Sequence, residues 1–219
     1  LNPTQTYETG RGQTRAIALA DGSVIHMNAQ SKITVRMTKG ERQVAMNDAQ
    51  ATFDVAKDAR RPFLITAGDR TVRVVGTEFD VSHRGPNLAV TVRRGVVEVG
   101  PDAKTSVGAV RLIHGQRLDH AAGGASRLST VNPEEAFAWR TRRLVYRDRP
   151  LSEVVAELNR QFTQDIRLAD AAAGRQRVSG VLVLDNEKAV IERLSLLTPV
   201  TVAVSDAGFV LRSNAPSSP

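Results

Sequence analysis

Between residues 13 and 119, hydrophobic side chains recur at every second position, and no other feature of the sequence restricts the fold as strongly. Ile33, Val35 and Met37 alternate with Thr34 and Arg36. Residues 70–99 repeat this pattern in three runs separated by turns that contain glycine. A period of two is the signature of strands with one buried face. We therefore predict about ten short strands in an all-β N-terminal domain.

The alternation does not choose among all-β architectures. A sandwich, a roll and a solenoid-like stack are all built from short strands with one buried face. This half of the sequence contains no repeat of fixed length. These three arrangements therefore remain open.

After Trp139 the hydrophobic period changes to 3.6 in two places. A helical pattern beginning at Leu151 is flanked by strand patterns at residues 144–146 and 166–168. A second helical pattern, which Asn186 can cap, lies between strand patterns at 178–184 and 200–204. One more strand is predicted at 208–211. Two βαβ units of this size predict a small α+β domain.

The change of period sets the predicted domain limits. We assign residues 1–130 to the β-rich domain and residues 131–219 to the α+β domain. The Ala/Gly-rich stretch at 121–126 is the candidate linker. The Ser/Pro-rich tail at 213–219 is predicted to be disordered.

The positive charge of the chain could indicate an acidic partner. The formal net charge is +7, but 23 acidic residues are interspersed among the 30 basic ones. The densest cluster contains Arg140, Arg142, Arg143, Arg147 and Arg149. Aromatic residues make up only 4% of the chain, and no zinc-finger, RNP or helix-turn-helix spacing accompanies the arginines. We therefore expect no nucleic-acid partner.

The sequence offers no recognisable catalytic or metal-binding motif. Cysteine is absent, and the four histidines fall in separate segments without metal-ligand spacing. The serines lie outside any GxSxG motif. We expect neither an enzyme, nor a cofactor, nor a metal, nor a small-molecule substrate. No run approaches the roughly 18 apolar residues of a membrane span, so we expect a soluble chain or a soluble piece of a longer one.

Seven segments of the β-rich half occur in the order found in one bacterial family. They are LADGS at 19–23, MNA at 27–29, ATFDV at 51–55, RPF at 61–63, VGTEFDV at 75–81, VRRGVVEV at 92–99 and GQ at 115–116. Together they resemble the periplasmic part of FecR-like anti-sigma factors. The resemblance continues through Trp139 and the segments 144–146, 150–151 and 157–160. The predicted double βαβ plan is similar to the STN domain of secretins and signalling TonB-dependent transporters.

The resemblance implies a receiving role in cell-surface signalling. The family's cytoplasmic sigma-binding domain and single membrane helix are absent from this sequence, so it would be the soluble periplasmic region of an inner-membrane protein in a Gram-negative bacterium. Its expected partner is the N-terminal signalling domain of a TonB-dependent siderophore transporter. Ligand occupancy would reach a sigma factor through regulated cleavage by a periplasmic protease.

An exposed strand edge in the α+β domain is the predicted docking site, because such an edge can accept a strand from another chain. The first choice is the segment at 178–184, where four consecutive apolar residues exceed what a one-faced strand needs. Burial of both of its faces is the alternative. Arginines at the start of the domain could steer an acidic partner. The candidate residues are Val178, Val181, Leu182, Val183, Leu184, Val200, Val202, Val204, Phe209, Leu211, Arg142 and Arg143.

A second function class remains open at this point. The STN-like half could belong to a structural or secretin-associated module that builds envelope assemblies without a sigma pathway. A short helical domain and one membrane helix before residue 1 would favour signalling over this alternative.

Overall fold

The computed structural model describes residues 4–214, and the chain divides into two compact units. The first unit ends at Phe137 and the second begins at Ala138. Strands dominate the first unit, and the second combines helices with shorter sheets. The predicted order, an all-β domain followed by a small α+β domain, is confirmed.

Fourteen strands form the described part of the first unit. They are β1 (Gln5–Glu8), β2 (Arg15–Ala18), β3 (Val24–Met27), β4 (Lys32–Met37), β5 (Arg42–Met46), β6 (Ala49–Asp54), β7 (Phe63–Ala67), β8 (Arg70–Val74), β9 (Glu78–Arg84), β10 (Asn87–Arg94), β11 (Val97–Gly100), β12 (Val110–Leu112), β13 (Gln116–Ala121) and β14 (Ser126–Thr130).

These strands form two seven-stranded sheets around one core. The first sheet has the order β1-β4-β5-β7-β8-β11-β12, and the second has the order β14-β13-β10-β9-β6-β3-β2. All pairs are antiparallel except β5 with β7. Inward residues of both sheets belong to a single hydrophobic cluster. The architecture is therefore a two-sheet sandwich, one of the three that the alternation left open.

Aromatic rings fill the middle of the sandwich. The rings of Phe53 and Phe79 stack at 5.3 Å, and Phe63 meets Phe53 edge-on at 6.0 Å. All three side chains are fully buried. Phe53 lies opposite Phe79 in the β6–β9 pair, while Phe63 comes from the other sheet. The contact therefore joins the two sheets through their apolar faces.

A buried arginine also joins the sheets. Arg42 begins β5 in the first sheet and is fully buried. Its Nη1 donates to Oδ2 of Asp21, 2.8 Å away in the turn between β2 and β3 of the second sheet. The same guanidinium donates to the backbone carbonyls of Ala56 and Arg61, each at 2.8 Å. The buried charge is thus paired with a carboxylate and hydrogen-bonded to backbone carbonyls, as a low-dielectric site requires.

A buried histidine also joins the two sheets, at a different pair of turns. His120 of β13 is buried, and its Nε2 lies 2.9 Å from Oδ1 of Asp69 in the β7–β8 turn. Its Nδ1 lies 3.1 Å from Oγ of Ser126. The backbone N–H of Gly123 donates to the other oxygen of Asp69. These hydrogen bonds tie the β7–β8 turn of the first sheet to the β13–β14 hairpin of the second sheet.

A short helix places the unit boundary later than predicted. Helix α1 (Pro133–Phe137) follows β14 and packs on β10. Arg93 of β10 binds both carboxylate oxygens of Glu134, and its guanidinium lies 4.8 Å above the ring of Phe137. These contacts place α1 in the first unit, whereas the change of period had placed the limit after residue 130.

The second unit contains five strands and three helices within its described residues. A 3-10 helix (Ala138–Thr141) precedes β15 (Arg143–Pro150), α2 (Leu151–Gln161), β16 (Asp165–Leu168), α3 (Ala171–Arg175), β17 (Arg177–Val183), α4 (Glu187–Leu197), β18 (Val200–Ser205) and β19 (Gly208–Ser213). The predicted strand–helix–strand order occurs twice. Helix α3 was not predicted.

Strand pairing in this unit differs from the simple βαβ plan. Strand β15 pairs antiparallel with β17 in a two-stranded ribbon, and β16, β19 and β18 form a separate sheet in that order. The two strands of each predicted unit therefore lie in different sheets. Periodicity identifies elements along the chain, but it does not say which strands pair.

Local signals explain the helix limits. The side chain of Asn186 accepts a hydrogen bond from the N–H of Ala189, which confirms the predicted cap of α4. Asp170 caps α3 in the same way through the N–H of Ala173. The predicted disordered tail is partly wrong, because Ser213 pairs with Val200 at the end of β19. Residues 215–219 lie outside the described part of the chain.

None of the helices in residues 4–214 is long and apolar enough to span a membrane.

The buried arginine generates a stability prediction. Replacing Arg42 by Met keeps most of the volume but leaves the Asp21 carboxylate without its cation, which should cost about 3–5 kcal/mol. Urea unfolding followed by circular dichroism measures the loss. Arg36→Met, at an exposed position of β4, is the matched control and should be close to neutral. A loss below about 1 kcal/mol in Arg42→Met would contradict this account.

The same pair predicts how stability changes with pH. Burial alone would raise the pKa of Asp21, but hydrogen bonds from Arg42 and Ser23 outweigh it and hold the pKa below its ordinary value. The stabilising contribution is therefore complete above the unfolded pKa of about 3.9 and is lost as pH falls through the folded pKa.

Unfolding of the natural chain and of Asp21→Asn, compared at several pH values, tests the sign. The stability difference between the two should be largest near neutral pH and should shrink on acidification. Asp102→Asn, in the exposed β11–β12 loop, serves as the control. A difference that grows as pH falls would refute the prediction.

Candidate functional site

Strand β17 presents two chemically distinct faces. Val178 and Leu182 are fully buried, whereas Val181 and Val183 are 53% and 41% exposed. The four consecutive apolar residues at 181–184 therefore alternate between solvent and core. The predicted stretch of surplus hydrophobic surface is present, but it consists of two side chains instead of four.

The facing strand completes this surface. In the β15–β17 pair, Val145 lies opposite Val181 and Arg143 lies opposite Val183. Directly opposed residues of an antiparallel pair share one face of the sheet. Arg143 is exposed and Val145 is half-buried. We call the side formed by Arg143, Val145, Val181 and Val183 the ribbon face.

The other predicted site residues divide into core and surface. The side chains that are nearly or fully inaccessible are Val178, Leu182, Leu184, Val200, Phe209 and Leu211. Val202 is partly buried and packs against the same core. Val204, near the end of β18, is 64% exposed, but it belongs to the three-stranded sheet and not to the ribbon. The buried residues hold the unit together and present no contact surface to a partner.

Arg142 differs from its neighbour Arg143. Its backbone has φ of 58°, and its carbonyl accepts a hydrogen bond from the N–H of Leu184. Its Nε donates to the Leu184 carbonyl, and its Nη1 lies 3.4 Å from Oε1 of Gln161. These bonds hold the guanidinium at the end of the ribbon. Arg143 is exposed, and the steering role of these arginines stays a prediction.

An ion pair fixes the other strand of the ribbon where it meets α4. Asp185 follows β17, and its two carboxylate oxygens accept hydrogen bonds of 2.7 and 2.8 Å from Arg193. Arg193 also donates to the carbonyl of Val183. The Arg193 hydrogen bonds, together with the N–H of Asn186, hold the pKa of Asp185 far below its usual range. The carboxylate therefore stays charged, and the bidentate pair holds Val183 in place.

A buried tyrosine fixes the ribbon from its inner side. The hydroxyl of Tyr146 donates to Oε2 of Glu157 on α2 at 2.9 Å. Burial, followed by the charge of Glu157, raises the pKa of Tyr146 well above its ordinary value. The phenol is therefore a neutral donor at every physiological pH. Anchoring on both sides pre-organises the ribbon face for binding.

Sequence reasoning missed two apolar side chains. Val145 was part of a predicted strand, and its phase opposite to the buried Leu144 and Tyr146 would have placed it on the outer face. Leu196 is 85% exposed at the end of α4. The helical period places Leu196 outside the apolar stripe of α4, so its exposure could have been predicted from the sequence.

The chemistry available on the ribbon face is that of a binding surface. Apolar valines and an exposed guanidinium suit an apolar partner surface that carries negative charge. Within residues 4–214, no group of three potential ligands is placed to hold a metal ion.

Comparison with known proteins supports the sequence resemblance. Residues 5–98 match the family model of the FecR protein. None of the curated proteins matches the sequence. The match ends within the first unit, so the STN-like character of the second unit stays a prediction.

Two crystal structures share the fold of nearly the whole chain. Each is of a candidate anti-sigma factor from Parabacteroides distasonis ATCC 8503. One has a TM-score of 0.87 and covers 97% of this chain, and the other has a TM-score of 0.86 and covers 96%. Both are 24% identical to this chain and are themselves covered completely. This similarity establishes the fold, and the family match shows that residues 5–98, less than half of the chain, are similar to the FecR protein family.

Proposed function

We propose that this chain is the periplasmic signal-receiving region of an anti-sigma factor regulator. The FecR match and the fold shared with candidate anti-sigma factors support this role. The observation that carries the proposal is the ribbon face, where two exposed valines lie beside an exposed arginine on a rigidly held pair of strands. A surface of this kind is suited to binding and not to chemical turnover, so we propose that the chain has no enzymatic activity.

The proposed partner is the N-terminal signalling domain of a TonB-dependent siderophore transporter. Its docking surface should be apolar at the centre and acidic at the rim. Val181 and Val183 would lose their water on contact, and Arg143 would attract the acidic rim at longer range. Partner binding would then control access of a periplasmic protease to the regulator and so release the sigma factor.

The valines of the ribbon face provide the direct test. Val181→Asp with Val183→Asp should weaken binding to the signalling domain at least about tenfold, or about 1.4 kcal/mol, because it places two unpaired carboxylates against the apolar centre of the partner surface and next to its acidic rim. Calorimetric titration measures the affinity. Both side chains are exposed, so the melting temperature should change little. Leu182→Asp is unsuitable because Leu182 is fully buried and the variant would unfold.

Val204→Asp is the control, since it introduces the same type of side chain at an exposed valine of the other sheet. It should bind as the natural chain does. Loss of binding in Val204→Asp with retention in the ribbon variant would move the interface to the β18 edge and reject the ribbon face. Failure of every signalling domain from the same genome to bind the natural chain would reject the receiving function itself.

A further inference from the structure

A cavity of about 670 Å³ lies in the second unit, apart from the residues of the ribbon face. Five elements contribute to it: the end of β15, the start of α2, the end of β16, helix α3 and the start of β17. Its volume lies within the roughly 300–1,000 Å³ typical of small-molecule sites. The cavity is broadly open to solvent, so a ligand can enter it directly.

The floor of the cavity is apolar. Pro150, Leu168, Ala171 and Gly174 line it. Gly174 is buried in α3, and a Cβ built there would lie 3.4 Å from a methyl carbon of Leu168 and 3.6 Å from Cβ of Ser152. The glycine therefore lets α3 approach α2 closely without filling the space between them. An apolar body of a few carbon atoms would remove this floor from water.

The polar groups at the rim favour a negative charge. Arg175 is exposed, and its guanidinium has no ion pair or hydrogen bond within residues 4–214. Arg177, also exposed, donates to the carbonyl of Asp148 and lies 3.7 Å from its carboxylate. Asp170 lines the same cavity, and its Oδ1 accepts the N–H of Ala173 as the cap of α3. Its negative charge offsets one of the two arginines, so the unpaired Arg175 is the group that favours an anion. The hydroxyl of Ser152 adds a neutral donor.

We propose that this cavity binds a small carboxylate carried on a short apolar body. The carboxylate would pair with Arg175, whose planar fork matches its two oxygens, while the apolar body covers Leu168 and Gly174. A free phosphate fits less well, because a strongly hydrated anion gains nothing from an apolar floor. The same chemistry on a polypeptide, an aromatic residue beside an acidic one, is the competing source, and the volume of the cavity, within the range of small-molecule sites, favours the small molecule.

Titration of the full chain with 4-phenylbutyrate, followed by the amide signals in heteronuclear NMR, tests this proposal. The acid should cause saturable shifts at Ser152, Ala171, Gly174 and Arg175. The neutral 4-phenylbutan-1-ol should bind about tenfold more weakly, because it lacks the charge. Inorganic phosphate alone should not move these signals. Equal binding of the alcohol and the acid, or the same shifts from phosphate, would overturn the proposal.

Two variants test separately whether binding needs the charge of Arg175 and the open space beside Ala171. Arg175→Gln should weaken binding of the acid about tenfold, whereas the control Arg212→Gln, at an exposed position of β19, should not. Ala171→Phe enters the cavity from an exposed position and should abolish binding without unfolding the chain. Unchanged affinity in Arg175→Gln and in Ala171→Phe would place the acid elsewhere.

A final titration tests whether the carboxylate belongs to a small molecule or to a peptide. The capped peptide acetyl-Gly-Phe-Asp-amide should bind more weakly than 4-phenylbutyrate, and tighter binding of the peptide would reject the small-molecule proposal. The titration uses this chain alone. Its outcome is therefore independent of whether a transporter domain binds the ribbon face.

Discussion

The sandwich depends on a buried positive charge between its sheets. Burying a guanidinium is costly unless every donor finds an acceptor. Arg42 finds its close acceptors in the Asp21 carboxylate and in the backbone carbonyls of Ala56 and Arg61. Because Asp21 lies far in sequence from the segment that contains Ala56 and Arg61, these acceptors meet around Arg42 only in the correctly closed fold. The phenylalanine core supplies the apolar contact, and the arginine favours a single way of closing it.

Ion pairs also account for much of the basic charge of the first unit. Arg61 pairs with Asp58, Arg93 binds Glu78 and Glu134, and Arg94 pairs with Asp54. Arg93 and Arg94 therefore link β10 to neighbouring segments of the first unit, whereas Arg61 pairs within its own segment. In the second unit, Arg143 is exposed beside two exposed valines, and Arg175 is exposed at the rim of a cavity. The position of each arginine is more informative than the net charge.

The second unit illustrates how one strand can serve both stability and binding. Alternate residues of β17 enter the core, and those between them face solvent. Contacts of Tyr146 with Glu157 and of Arg193 with Asp185 hold this strand pair to the helices. A surface that is already rigid loses less conformational entropy when a partner binds. Packing on the inner face thus prepares the outer face for recognition.

The sequence by itself determined the type and order of most elements, because strand and helix periods and the Asn186 cap are local properties. It also indicated the FecR resemblance. Only the tertiary structure decided that β15 pairs with β17, that β5 runs parallel to β7, and that α1 belongs to the first unit. It alone showed that Leu182 is core while Val181 is surface, and that α2 and α3 border a cavity. Each of these depends on contacts between residues distant along the chain, and a local period carries no information about such pairing.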